Sequence, residues 1–84
     1  MKRGIVYYCK GKEKEKVCKI ESKELRGFWL KGISKILKFA EVKEIEIPAL
    51  SFGTPKLREY DTELVMTVGF ETWNEWFEIV VWTR

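Results

Sequence analysis

Residues 63–84 restrict the fold more than any other stretch of the chain. Leu64, Met66, Val68 and Phe70 recur two apart, and so do Phe77, Ile79 and Val81. Successive side chains of a strand point to opposite faces. Two strands, 64–73 and 76–83, joined by a turn at Asn74-Glu75, therefore collect all of these on one dry face. The other face then carries Val65, Trp73, Trp76, Val80 and Trp82, with Thr67, Gly69, Glu71 and Glu78 among them. An ordinary solvent face does not hold three tryptophans, so a cover for this one is expected.

The remaining segments supply what such a hairpin needs as a partner. Residues 4–10 and 16–22 read as a first hairpin around the charged tip 12–15. With Glu13 and Lys14 at the turn, Tyr7 faces Ile20, Cys9 faces Cys18, and Ile5, Tyr7, Cys9, Cys18 and Ile20 form a buried set. Ser22 is the expected N-cap of a helix. Leu25, Phe28, Trp29, Gly32, Ile33, Ile36, Leu37 and Ala40 follow at helical spacing for about four turns. Leu30 and Phe39 widen that stripe, and Gly32 on it permits close approach to a sheet. Residues 42–52 alternate as a strand interrupted by Pro48, which suits an edge or a bulge. Residues 53–62 read as a loop.

The expected fold class is α+β. One long amphipathic helix covers one face of a mostly antiparallel sheet of about five strands, in the order β-β-α-β-β-β, a two-layer sandwich. The 84 residues make one domain, 1–84. No apolar run is long enough to span a membrane and no signal peptide is apparent, so a cytoplasmic protein is expected.

Composition narrows the chemistry. Twelve Lys and twelve Glu stand against one Asp, one Asn, no Gln and no His, a pattern seen in hyperthermophilic proteins. Without His the commonest general base is missing. Two Cys and no His do not complete a tetrahedral zinc site. No phosphate-cradling glycine motif occurs. No catalytic residue, metal or cofactor is therefore assigned, and a non-enzymatic protein is expected.

Four constellations remain. Val65, Gly69, Trp73, Trp76, Val80 and Trp82 form a candidate interface, best matched by a homodimer or another protein partner; the alternative cover is the loop 53–62 with Leu57 and Tyr60. Glu71 and Glu78 are expected to face each other and to need a base such as Lys19 or Arg84. Cys9 and Cys18 are expected to be cross-strand neighbours, either bridged or packed as two thiols. Lys31, Lys35 and Lys38 line one helix face as candidate phosphate contacts. The net charge of +3 is small, and Glu13, Glu15 and Glu21 interleave with the hairpin lysines, which disfavours nucleic acid. The expected function is a small binding protein that self-associates through its aromatic sheet face. The alternative is a nucleic-acid-binding module using the helix lysines and exposed aromatics.

Overall fold

The computed structural model describes residues 1–45, 51–60, 62–69 and 74–83. Among these residues six strands and one helix follow in the order β1 (Lys2–Lys10), β2 (Glu13–Ser22), α1 (Leu25–Val42), β3 (Ser51–Phe52), β4 (Lys56–Arg58), β5 (Glu63–Gly69) and β6 (Glu75–Trp82). The sheet is antiparallel at every pairing, with order β2-β1-β6-β5-β3, and β4 lies beside β3 on the outer edge of β5. The helix covers one face, as expected for the two-layer α+β class. Among the described residues no helix is long and apolar enough to cross a membrane.

The core sits between helix and sheet. Phe28 and Ile36 meet Val6, Ile20, Met66, Val68, Phe77, Ile79 and Val81, all buried. Two glycines set how closely the layers pack. A Cβ on Gly32 would lie 2.7 Å from Ile79 Cδ1, and one on Gly4 would lie 2.6 Å from the Phe28 ring. Each layer thus has a hollow that receives a large side chain of the other. Leu25, Trp29, Ile33 and Phe39 pack around this centre. Leu37, expected in the core, is half exposed, as is Leu30. The helix backbone approaches β2, β1 and β6 but not β5, so its far flank overhangs the sheet.

The helix ends differ from each other. Its N-cap is Glu24, which makes no side-chain cap bond. Ser22 instead closes β2, and its Oγ would lie 2.7 Å from a Cβ on Gly27, which accounts for that glycine. At the C-terminus Ile45 N donates to Ala40 O at 2.8 Å and Glu44 N to Glu41 O at 3.2 Å, the paired bonds of a Schellman motif. Glu44 holds the left-handed position, φ 57°, where glycine is usual.

The first hairpin departs from its expected register. The turn is Gly11-Lys12, with Gly11 at φ 59° and Lys10 opposite Glu13. A glycine in the first central position suits a two-residue hairpin turn. Ile20 faces Gly4 rather than Tyr7, an odd slip, and a bulge at Val17 shifts the pairing again. The result puts Val6 and Tyr8 under the helix and Ile5, Tyr7 and Cys9 on the other face. Cys9 therefore pairs with Lys14 and Cys18 with Val6. The two thiols are free and on opposite sides of the sheet, so the expected cross-strand pair and its disulfide do not form.

The second hairpin keeps its expected faces with a different register. Leu64, Met66 and Val68 face Val81, Ile79 and Phe77. Glu78 faces Thr67, four positions from the expected Glu71. A slip of an even number of residues preserves which side chains share a face. Phe70, Glu71, Trp73 and Arg84 lie outside the described residues, as does Pro48. The segment expected as a loop contains β4; two of its three residues are charged, which hid the strand, and it pairs through Lys56, Leu57 and Arg58 along β5.

Candidate functional site: the open face of the sheet

The face away from the helix is built by alternation along β1, β2, β5 and β6. Its centre is apolar: Ile5, Val65 and Val80 are buried, with Tyr7 and Trp82 packed over them. Val65 and Val80 are thus covered within one chain, and Gly69 is buried too. Trp76 and Trp82 are half-buried. The cover does not come from Leu57 or Tyr60, which are 55% and 98% exposed. It comes from residues of the sheet and from one arginine reaching across from β4.

That arginine is Arg58. Its Nη2 donates to Glu78 Oε1 at 3.0 Å and its Nη1 to Oε2 at 3.4 Å. Lys14 Nζ lies 3.1 Å from the same Oε1, and Trp76 Nε1 donates to Oε2 at 3.4 Å. Glu78 is only 8% exposed. Burial alone would push its carboxyl up, but the hydrogen bonds and charges of Arg58 and Lys14 outweigh it and hold the group below the usual carboxylate range. Lys14 and Arg58, rather than the expected Lys19, are the bases paired with Glu78 among the described residues; the other expected base, Arg84, lies outside them. Lys14 also sits 4.4 Å above the Tyr7 ring, a cation–π distance. Cys9 lies beside this cluster, opposite both Lys14 and Trp76. Burial, aided by Glu78, pushes its thiol up to about 11 against the opposing pull of Lys14 and Arg58, which leaves it a poor nucleophile.

Strand alternation also sorts the charges of the first hairpin. Lys14, Lys16 and Lys19 face Cys9, Tyr7 and Ile5 on the open side. Glu13 and Glu15 face Lys10 and Tyr8 on the helix side. The bulge at Val17 makes this separation possible, because strict alternation would put Lys14 and Lys16 on the face of Cys18 and Ile20. Lysines and glutamates that interleave in sequence are thus apart in space. Among the described residues the open face holds Arg3, Lys14, Lys16, Lys19, Lys56 and Arg58 against Glu21, Glu63 and Glu78. Of these bases, Lys16, Lys19 and Lys56 are exposed and make no ion pair within the described residues.

Two hollows adjoin on this face. One, of about 220 Å³, is lined by Ser51, Gly53, Thr67, Gly69 and Trp76. It exists because Gly69 stands opposite Trp76 and offers no side chain against the indole. The other, of about 380 Å³, continues past Gly53 and Thr67 to Lys56, Leu57 and Arg58.

The helix lysines are elsewhere. Lys31 Nζ donates to Glu21 O at 2.7 Å, and Lys35 lies close enough to Cys18 to oppose the rise that burial causes in its thiol pKa. With Lys38 they follow the helix flank over β2, so they share no surface with Trp76 and Trp82. Among the described residues no group of His, Cys, Asp or Glu gathers as a metal site would. Tyr7, Lys14 as a partner of Glu78, and Arg58 were not singled out from the sequence. A turn placed at Gly11 would have found the first two; Arg58 sits in a strand that charge disguised. No known protein family, curated protein or solved structure matches the chain.

Proposed function

We propose that this is a non-enzymatic binding protein whose contact surface is the open face of the sheet, and that its partner is anionic. The observation that carries the reading is the sorting of charge: Lys16, Lys19 and Lys56 make no ion pair among the described residues and lie on the face of the half-buried aromatics, while Glu13 and Glu15 of the hairpin lie on the helix side. The raised thiol of Cys9 and the fully paired carboxylate of Glu78 suit a structural role for both. Two free thiols accord with a reducing compartment, and a cytoplasmic setting is part of the proposal.

Self-association through Val65, Gly69, Trp73, Trp76, Val80 and Trp82 is the second reading. The half-buried Trp76 and Trp82 favour it, since tryptophan is enriched at interface centres. Two observations weigh against it: the valines are already covered, and a symmetric dimer would set one basic face against another. Salt separates the two readings. Binding to an anionic matrix such as heparin weakens as salt rises, whereas association between like-charged faces strengthens. The expected result is retention on heparin that salt elutes, with a monomer by light scattering at the same protein concentration. A dimer whose stability grows with salt, and no retention, would replace the first reading by the second.

A further inference from the structure

We infer that the anionic partner is a single-stranded nucleic acid, with a base seated in the slot beside Trp76 and phosphates on Lys16, Lys19 and Lys56. The inference rests on the reading of the open face as an anion-binding surface and goes further by naming what is bound.

Three features point to a chain that carries both charges and flat rings. The slot at Trp76 is bounded by an aromatic wall and by Gly53 and Gly69, with Ser51 and Thr67 as hydroxyl donors or acceptors at its edge. Among the described residues its lining carries no charge, so it suits a planar, neutral group better than a phosphate. Of the lysines without an ion pair among the described residues, Lys16 and Lys19 lie on β2, two strands from Trp76 across Tyr7 and Glu78, and Lys56 lines the adjoining hollow. A ligand that fills the slot and reaches them therefore has rings and anionic groups at separate points along its length. Trp82 and Arg3 are directly paired at the far end of the same face and repeat the combination of a ring and a base. Stacking on successive aromatics beside a basic track is how single strands are held without sequence preference. A duplex hides its bases within the stack, where the slot beside Trp76 does not reach them.

The face also has the right neighbours to be ready for a ligand. The Glu78 cluster fixes Trp76 by the Nε1 bond to Oε2, so one ring edge is held while the side toward Gly69 stays open. Arg58 and Lys14 are engaged with Glu78 and contribute no free charge. The unpaired lysines supply that charge.

The test uses the full chain and three probes: a mixed-sequence single-stranded oligonucleotide, the same sequence as a duplex, and inorganic polyphosphate. Titration with the single strand is expected to quench tryptophan emission. Lys16, Lys19 and Lys56 together predict a slope of about −2 for log affinity against log salt, at roughly 0.7 per single-strand phosphate contact. The double variant Lys16→Glu/Lys19→Glu is expected to weaken binding at least tenfold and flatten the slope. Lys35→Glu/Lys38→Glu, on the other side of the molecule, should leave affinity unchanged. Trp76→Ala should cost about tenfold, in the range found for one stacked base. Trp76→Phe, which keeps a ring, should restore most of that loss and shows that the loss is not one of folding. Polyphosphate bound as tightly as the single strand, without a change in emission, would overturn the inference and leave the anion-binding face standing. Preference for the duplex would likewise overturn it. Failure of all three probes to bind would remove both the inference and the reading beneath it.

Discussion

Glu78 shows how one buried carboxylate organises a face. Its charge is kept because Arg58 and Lys14 supply more stabilisation than burial removes, and its folded pKa therefore lies below the unfolded value. A group of this kind contributes stability above the unfolded pKa, about 4.3 for Glu, and loses it as pH falls through the folded one. Denaturant midpoints should accordingly drop between neutrality and about pH 3, and Glu78→Gln should reduce that drop while lowering stability at neutral pH. Arg58→Ala should cost about 1–3 kcal/mol, since it leaves a buried acceptor short of its main partner; a loss below about 0.5 kcal/mol, the level of a plain surface change, would mean that Lys14 alone suffices. Glu44 sits in the opposite situation. It occupies a left-handed conformation at the end of α1, which costs a side-chain-bearing residue roughly 1–2 kcal/mol. Glu44→Gly should therefore stabilise the protein by about 1 kcal/mol, read as a rise in denaturation midpoint at unchanged slope.

At the scale of elements, helix and sheet are fitted through residues whose size matters more than their propensity. Gly32→Ala would gain about 1 kcal/mol in helix propensity, yet the new methyl would meet Ile79 at 2.7 Å. Overpacking of this sort costs about 1–3 kcal/mol, so a net loss is expected in chemical denaturation. Ile36, fully buried on the sheet-facing side of the helix, should cost about 2–5 kcal/mol as Ala. The hairpins show why faces were easier to read than registers. The β5–β6 register differs from the expected one by an even number of positions, and the dry face survived. The β1–β2 register differs by an odd number beyond the bulge and by an even number at the tip, and Val6 and Cys9 exchanged sides. The cause is local: a turn at Gly11 and a bulge at Val17, neither of which strict alternation includes. Shortening the β1–β2 tip to remove Gly11 should shift the register, measurable as loss of heparin retention when Lys14 and Lys16 leave the open face.

Across the whole molecule, the charge that matters is distributed by the fold rather than by the sequence order. A net charge of +3 spread evenly over the surface would attract little. Among the described residues the open face holds six bases against three acids beside Tyr7, Trp76 and Trp82, which gives that face a sign and a chemistry, and the other face of the sheet is taken by the helix. The exposed bases are expected to matter for binding and not for folding: Lys16→Glu/Lys19→Glu should alter stability by less than about 0.5 kcal/mol while abolishing retention on heparin. Leu30 and Leu37 on the overhanging flank of α1 are the remaining exposed apolar side chains of that element besides Val42.

The sequence by itself determined the class of fold, because periodicity is a local property. The 3.6-residue stripe from Leu25 to Ala40 and the two-residue alternation of β5 and β6 follow from neighbours along the chain, and they require a helix on one sheet face. It also determined that Gly32 marks a close approach and that the aromatic face needs a cover. Only the tertiary structure decided what that cover is. Arg58 reaches Glu78 from a strand twenty residues earlier, and Lys14 reaches it through a turn and a bulge that set which side it takes. Those contacts depend on register and on strand order, β2-β1-β6-β5-β3, and both are settled by how apolar faces pack against each other in three dimensions rather than by any pattern within one segment.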